Sequence, residues 1–137
     1  MIDEAGIVQR IRQAFSDVQA VYLFGSFAGG QPWPASDVDI ALLLPFETAA
    51  EVGPLCMTDL QHSLENLLMR DVDLINLREV STVFQHEIVT RGKRLDCRDS
   101  LGCEEFEMLV MSYYQQLNME RREILEAFWK TGRAYPV

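Results

Sequence analysis

Apolar and polar positions alternate along the chain in two rhythms, and the switches between them mark its elements. Ile7, Ile11 and Phe15 recur at helical spacing, which predicts a helix with one apolar stripe over roughly the first fifteen residues. Val18–Phe24 is dense in β-branched and aromatic residues and predicts a strand. The loop signals GSFAGG and QPWP follow, and then Asp37–Leu44, DVDIALLL, predicts a second strand. Its nearly unbroken apolar end suits a central strand covered on both faces.

Leu60, Leu64, Leu67 and Leu68 predict a helix between Pro54 and Arg70, and Asp71–Leu77, DVDLINL, predicts a third strand. Val80, Val83, Phe84 and Ile88 predict a further helix, with Gly92 placed as a C′ glycine would be. KRLDC reads as a short edge strand. From about Cys103 to Lys130 the helical rhythm returns through Phe106, Val110, Tyr113, Leu117, Ile124 and Phe128, with Gly132 and Pro136 closing it. Tyr113, Tyr114 and Leu117 are expected to pack one face of this helix on the sheet, leaving another face for a partner helix. The order gives an α/β (α+β) chain: a mixed sheet flanked by helices and followed by a long C-terminal helix.

Composition narrows the class. The 137 residues are 48% apolar and 24% charged, which suits one soluble folded domain. Lys plus Arg is 12 against 21 Asp plus Glu, a formal charge of −9. Such a chain repels nucleic-acid backbones and suits a basic protein partner or a carboxylate site that holds cations. Direct nucleic-acid binding is not expected. Cys56, Cys97 and Cys103 match no zinc or redox spacing, and are expected to be reduced, partly buried thiols. No apolar run approaches the ~20 residues that cross a bilayer, and the charged N-terminus MIDEAGIVQR has no signal-peptide core. A cytoplasmic location without a membrane is expected.

The candidate chemistry sits at the strand mouths. Asp37 and Asp39 alternate with Val38, so both project to one face of their strand. Two carboxylates so close repel, and a divalent cation removes the conflict. Mg²⁺ takes oxygen ligands and is usually held by one or two carboxylates together with substrate phosphates. Asp71 and Asp73 form a second same-face pair, and if the strands are neighbours one of them reaches the first pair. Three carboxylates could then hold two ions for an in-line phosphoryl displacement. Gly25-Ser26 follows a strand directly. A helix starting there would offer free N–H groups to an anion, with close backbone approach at the glycine and a hydroxyl donor on the serine.

Gly-Ser, ten residues, then Asp-x-Asp resembles the signature of the nucleotidyltransferase superfamily that includes DNA polymerase β and the aminoglycoside nucleotidyltransferases. The resemblance is closest to the minimal nucleotidyltransferases, covers roughly Val18–Leu77, and selects Asp73 in VDLINL as the third carboxylate. It implies that Gly25 and Ser26 hold the β- and γ-phosphates of ATP. It implies that Asp37 and Asp39 bind both ions of a two-Mg²⁺ site, and that Asp73 binds one and helps deprotonate the acceptor hydroxyl. The chain is also similar to the antitoxins of HEPN–MNT toxin–antitoxin modules, which carry this motif near the N-terminus and end in a helix. That likeness implies a minimal nucleotidyltransferase domain over residues 1–98 and a helical extension over 99–137 within the same compact domain. It also implies the activity: a Mg²⁺-dependent protein adenylyltransferase that moves AMP from ATP to a tyrosine of a cognate HEPN ribonuclease toxin, its partner, and silences it. The alternatives are an antitoxin that acts by binding alone, and a small-molecule nucleotidyltransferase of the aminoglycoside type.

Other residues attract weaker readings. Trp33 could stack on adenine or pack under its own loop. His62 and His86 are expected in surface or core roles. Arg91, Lys93 and Arg94 could form a solvated helix end or touch nucleotide phosphate.

Overall fold

A computed structural model describes residues 2–25, 37–56 and 58–131. Ser26, Trp33, Gly132 and Pro136 lie outside the described residues. The first helix, α1 (Glu4–Ala14), starts where the Asp3 carboxylate accepts the Gly6 N–H, and buries Ile7 and Ile11. It leads into β1 (Ala20–Phe24), and β2 (Val38–Leu43) pairs antiparallel to it. Two helices, α2 (Phe46–Val52) and α3 (Asp59–Leu68), carry the chain across to β3 (Val72–Asn76), which runs parallel to β2. A 3-10 turn at Leu77–Glu79 precedes α4 (Thr82–Arg91). Then β4 (Lys93–Cys97) pairs antiparallel to β1, and α5 (Ser100–Thr131) closes the chain. The four-stranded mixed sheet has the order β3-β2-β1-β4.

The central position of β2 explains its composition. Its residues from Ile40 to Leu43, and Leu44 beyond it, are all fully buried. One side of the sheet packs Val21, Leu23, Ile40, Leu42, Val72 and Leu74 beneath Ile7 and Ile11 of α1 and Leu60 and Leu64 of α3. The other packs Ala20, Tyr22, Ala41 and Leu43 against Ile88 of α4 and Cys103, Phe106 and Val110 of α5. Side chains alternate along a strand, so Asp39 and Asp73 belong to this second side, together with Ala41, Leu43 and Ile75.

Several expectations change. Helix α2 is not marked by periodicity, because its seven residues bury only Ala49; Pro45 before it and Gly53 after it (φ +66°) are its boundaries. Gly92 caps α4 with an extended backbone (φ −75°), not a left-handed one. It must be glycine for space: a Cβ there would overlap the Ile88 carbonyl oxygen and lie 3.1 Å from the Leu23 carbonyl. Tyr114 stacks on His86 of α4 at 3.6 Å instead of lying on the sheet, and Tyr113 is exposed. Cys56 is exposed, while Cys97 is half-buried and Cys103 buried, their sulfurs 2.9 Å apart. Among the described residues no helix is long and apolar enough to cross a membrane.

Candidate active site

The last residue of β1, Phe24, lies opposite Asp39 in the β1–β2 register. The next residue, Gly25, takes φ +73°, a conformation in which a side chain is strained. A Cβ there would also collide with Oδ2 of Asp39. Glycine therefore does two things at this point. It supplies the left-handed backbone conformation that ends the strand, and it lets the Asp39 carboxylate lie directly against the backbone.

Across the parallel pairing, Asp39 of β2 is in register with Asp73 of β3, so both carboxylates leave the sheet on one side and at one level. Asp37 stands exposed one residue before β2 begins. Burial pushes the Asp39 carboxyl above its ordinary value, and the negative charges of Asp73 and then Asp37 push it the same way. The three acids predicted from the sequence are thus brought within electrostatic reach of one another. Asp71 lies one residue before β3, level with Asp37. Its carbonyl accepts the Val38 N–H, which helps fix the register that aligns Asp73 with Asp39.

All three groups are hard oxygen donors, and together they carry more negative charge than the site holds comfortably. That chemistry fits a small hard cation such as Mg²⁺, completed by substrate phosphates. Among the described residues no three acidic, imidazole or thiol groups stand close enough together to hold an ion by themselves.

The basic cluster is already engaged. Arg91 pairs with Glu87 at 3.4 Å, Lys93 with Glu4 at 2.9 Å and Arg94 with Glu107 at 3.5 Å. His62 lies 3.5 Å from Glu65, on the helix α3 away from the acids. Asn76 is the residue near the site that the sequence reading passed over. It is a buried polar residue at the end of β3, and its Nδ2 donates to the carbonyls of Ala49 at 3.0 Å and Gly53 at 2.9 Å. The visible signal was a single amide within the apolar run Leu74–Leu77.

Comparison with known proteins agrees with this geometry. Residues 7–101 match the family described as "Polymerase beta, Nucleotidyltransferase". The chain is 34% identical over 125 residues to the protein adenylyltransferase MntA of Shewanella oneidensis, covering 91% of this chain and 86% of that one. A crystal structure of a toxin–antitoxin with AMP-PNP superposes with a TM-score of 0.72 at 32% identity, over 93% of this chain and 99% of that one. The MNT antitoxin complexed with a tri-AMPylated Shewanella oneidensis HEPN toxin gives a TM-score of 0.65 at 32% identity, over 92% and 95% of the two chains. With its Gly25 turn and its two in-register aspartates in the family's sheet, this chain belongs to the polymerase β-type nucleotidyltransferases.

Proposed function

We propose that this protein is an antitoxin that transfers AMP from ATP to a tyrosine of a HEPN toxin and thereby inactivates it. The observation that carries the reading is the alignment of Asp39 with Asp73 beside the Gly25 turn. It is supported by the relatives, which include a protein adenylyltransferase and an antitoxin bound to an AMPylated HEPN toxin.

Each residue has a role that follows from its place. Gly25, with Ser26 after it, turns its backbone toward the β- and γ-phosphates of ATP and approaches them closely because no side chain intervenes. Asp37, Asp39 and Asp73 would hold Mg²⁺, and Asp73 also faces the acceptor. Bound Mg²⁺ would neutralise the acids, polarise the α-phosphate and offset charge on the departing pyrophosphate. Asp73 orients the tyrosine hydroxyl and takes its proton as the oxygen attacks the α-phosphorus. A phenol with a pKa near 10 needs such a base at neutral pH. The P–O bond to the β-phosphate breaks, pyrophosphate leaves on the Gly25 side, and AMP remains on the tyrosine oxygen.

A protein acceptor suits the molecule better than a small one. Beyond Val110, α5 exposes Tyr113, Met119, Leu125 and Trp129, a surface suited to a protein partner in the cytoplasm. The deciding experiment incubates the protein with toxin, Mg²⁺ and ATP labelled in the α-phosphate. Label on a toxin tyrosine at substoichiometric antitoxin is expected. Neutralisation that needs one antitoxin per toxin and leaves no label would establish binding alone.

A further inference from the structure

The order of strands sets a direction through the site. Gly25 lies at the end of β1, Asp39 on β2 and Asp73 on β3, so the acids stand between the turn on one side and the outer edge of β3 on the other. An in-line displacement needs its nucleophile opposite its leaving group. With pyrophosphate departing toward Gly25, the acceptor must arrive from the β3 side.

A groove of about 580 Å³ opens there. Its floor is the strand itself, from Asp73 to Asn76; the far wall is Gly53–Cys56, and Glu79 and Val80 close the end. The volume is that of an ordinary ligand pocket. Asn76 holds the far wall in place through its bonds to Ala49 and Gly53.

The outer edge of β3 faces this groove, and side chains of α3 cap only its first residue. The Asp71 carbonyl bonds to β2, so Val72 points its backbone groups the other way: its N–H donates to Glu65 at 3.1 Å and its carbonyl accepts from Gln61 at 2.8 Å. A strand repeats every second residue, so the next outward pair belongs to Leu74, which lines the groove. Such an edge accepts an extended peptide by main-chain hydrogen bonds. Asp73 and Glu79 place a carboxylate at each end, so a segment with basic residues beside its tyrosine is favoured.

We infer that this groove is the acceptor site: a basic, extended, tyrosine-bearing segment of the toxin pairs with the outer edge of β3 and presents its hydroxyl to Asp73. The inference rests on the proposed adenylyl transfer. It explains why Asp73 is exposed while Asp39 is half-buried: one meets an incoming protein, the other a bound nucleotide.

Cys56 gives a direct test, because it is the exposed thiol and lines the groove, whereas burial pushes the Cys103 thiol up to about 12. The full-length protein is treated with benzyl methanethiosulfonate until mass spectrometry shows Cys56 fully modified. AMP transfer to the toxin is then measured beside the affinity for ATP with Mg²⁺. A fall in kcat/KM for toxin of about a hundredfold is expected, with ATP affinity unchanged and activity restored by dithiothreitol. The Cys56→Ser variant, treated and untreated, is expected to transfer AMP at one and the same rate. Glu79→Lys is expected to raise KM for toxin about tenfold with ATP affinity unchanged. Full modification of Cys56 with undiminished transfer would overturn the assignment, as would ATP affinity falling in step, which would make the groove the nucleotide's. Failure of the untreated protein to label toxin would instead refute adenylyl transfer itself, and the acceptor groove with it.

Discussion

The two faces of the sheet are made by the same strands and do opposite things. Beneath α1 and α3, β2 and β3 present Val38, Ile40, Leu42, Val72 and Leu74, with no charge along their length. On the other face, the intervening residues are apolar only at one end, where Ala41, Leu43 and Tyr22 meet α4 and α5. At the other end stand Asp39 and Asp73. The first face gives rigidity and the second spends it, since Asp39 keeps its position although burial and two neighbouring charges disfavour its ionised form. A one-residue slip of β2 would exchange the faces. The division of labour is thus fixed by register, and neighbouring substitutions should separate chemistry from stability.

The largest effect is expected from Asp39→Asn: AMP transfer falls about a thousandfold in a radiolabel assay. Removing the repelled charge should at the same time raise the metal-free Tm by about 3 °C in calorimetry. A variant that loses activity by unfolding would contradict the contrast. The adjacent Ile40→Ala should behave oppositely, costing about 2–5 kcal/mol in urea unfolding while the folded fraction keeps its activity. Gly25→Ala falls between them, because it strains the turn and displaces the Asp39 carboxylate. About 1–3 kcal/mol of stability and most of the transfer activity should be lost together.

The contrast also predicts a pH dependence. Folding raises the Asp39 pKa, so its ionisation weakens the fold. Below its ordinary value of 3.8 both states hold the proton and the penalty is absent; above the raised folded value the penalty is complete. Wild-type protein should therefore lose stability relative to Asp39→Asn as pH rises through that window, and Mg²⁺ should remove the difference. Equal pH profiles in chemical unfolding would show that Asp39 is not under strain. The smallest effect is expected from Tyr22→Phe, which removes the 2.9 Å hydrogen bond from the phenol to Glu107 and should cost about 1 kcal/mol without touching AMP transfer.

Where one residue's neighbours in sequence are also its neighbours in space, the sequence was readable. The strands announced themselves by β-branched runs, and DVD followed by VDLINL already contained the alternation that sends Asp39 and Asp73 to one side. What alternation does not contain is the pairing partner. That β3 runs parallel beside β2, in the register that aligns Asp39 with Asp73, depends on a crossover through α2 and α3. Helix α2 itself carried too few buried residues to leave a rhythm. Gly92 was found for the wrong reason: a glycine after a helix suggests a left-handed cap, and the true constraint is the Ile88 and Leu23 carbonyls. The groove beside β3 was invisible, because its two walls lie far apart in the chain and are tied together by Asn76.

Helix α5 has a consequence for the protein's lifetime. Its 32 residues make a rod about 48 Å long, yet none from Met111 to Lys130 is buried. An isolated helix of that remaining length is marginal in water, so its distal turns open without waiting for the sheet to unfold. Hydrogen exchange should divide the helix near Val110, protected before it and fast beyond it. A toxin seated on those turns would close them. Under the proposed antitoxin function, the survival of this chain among proteases would then report whether a toxin is present.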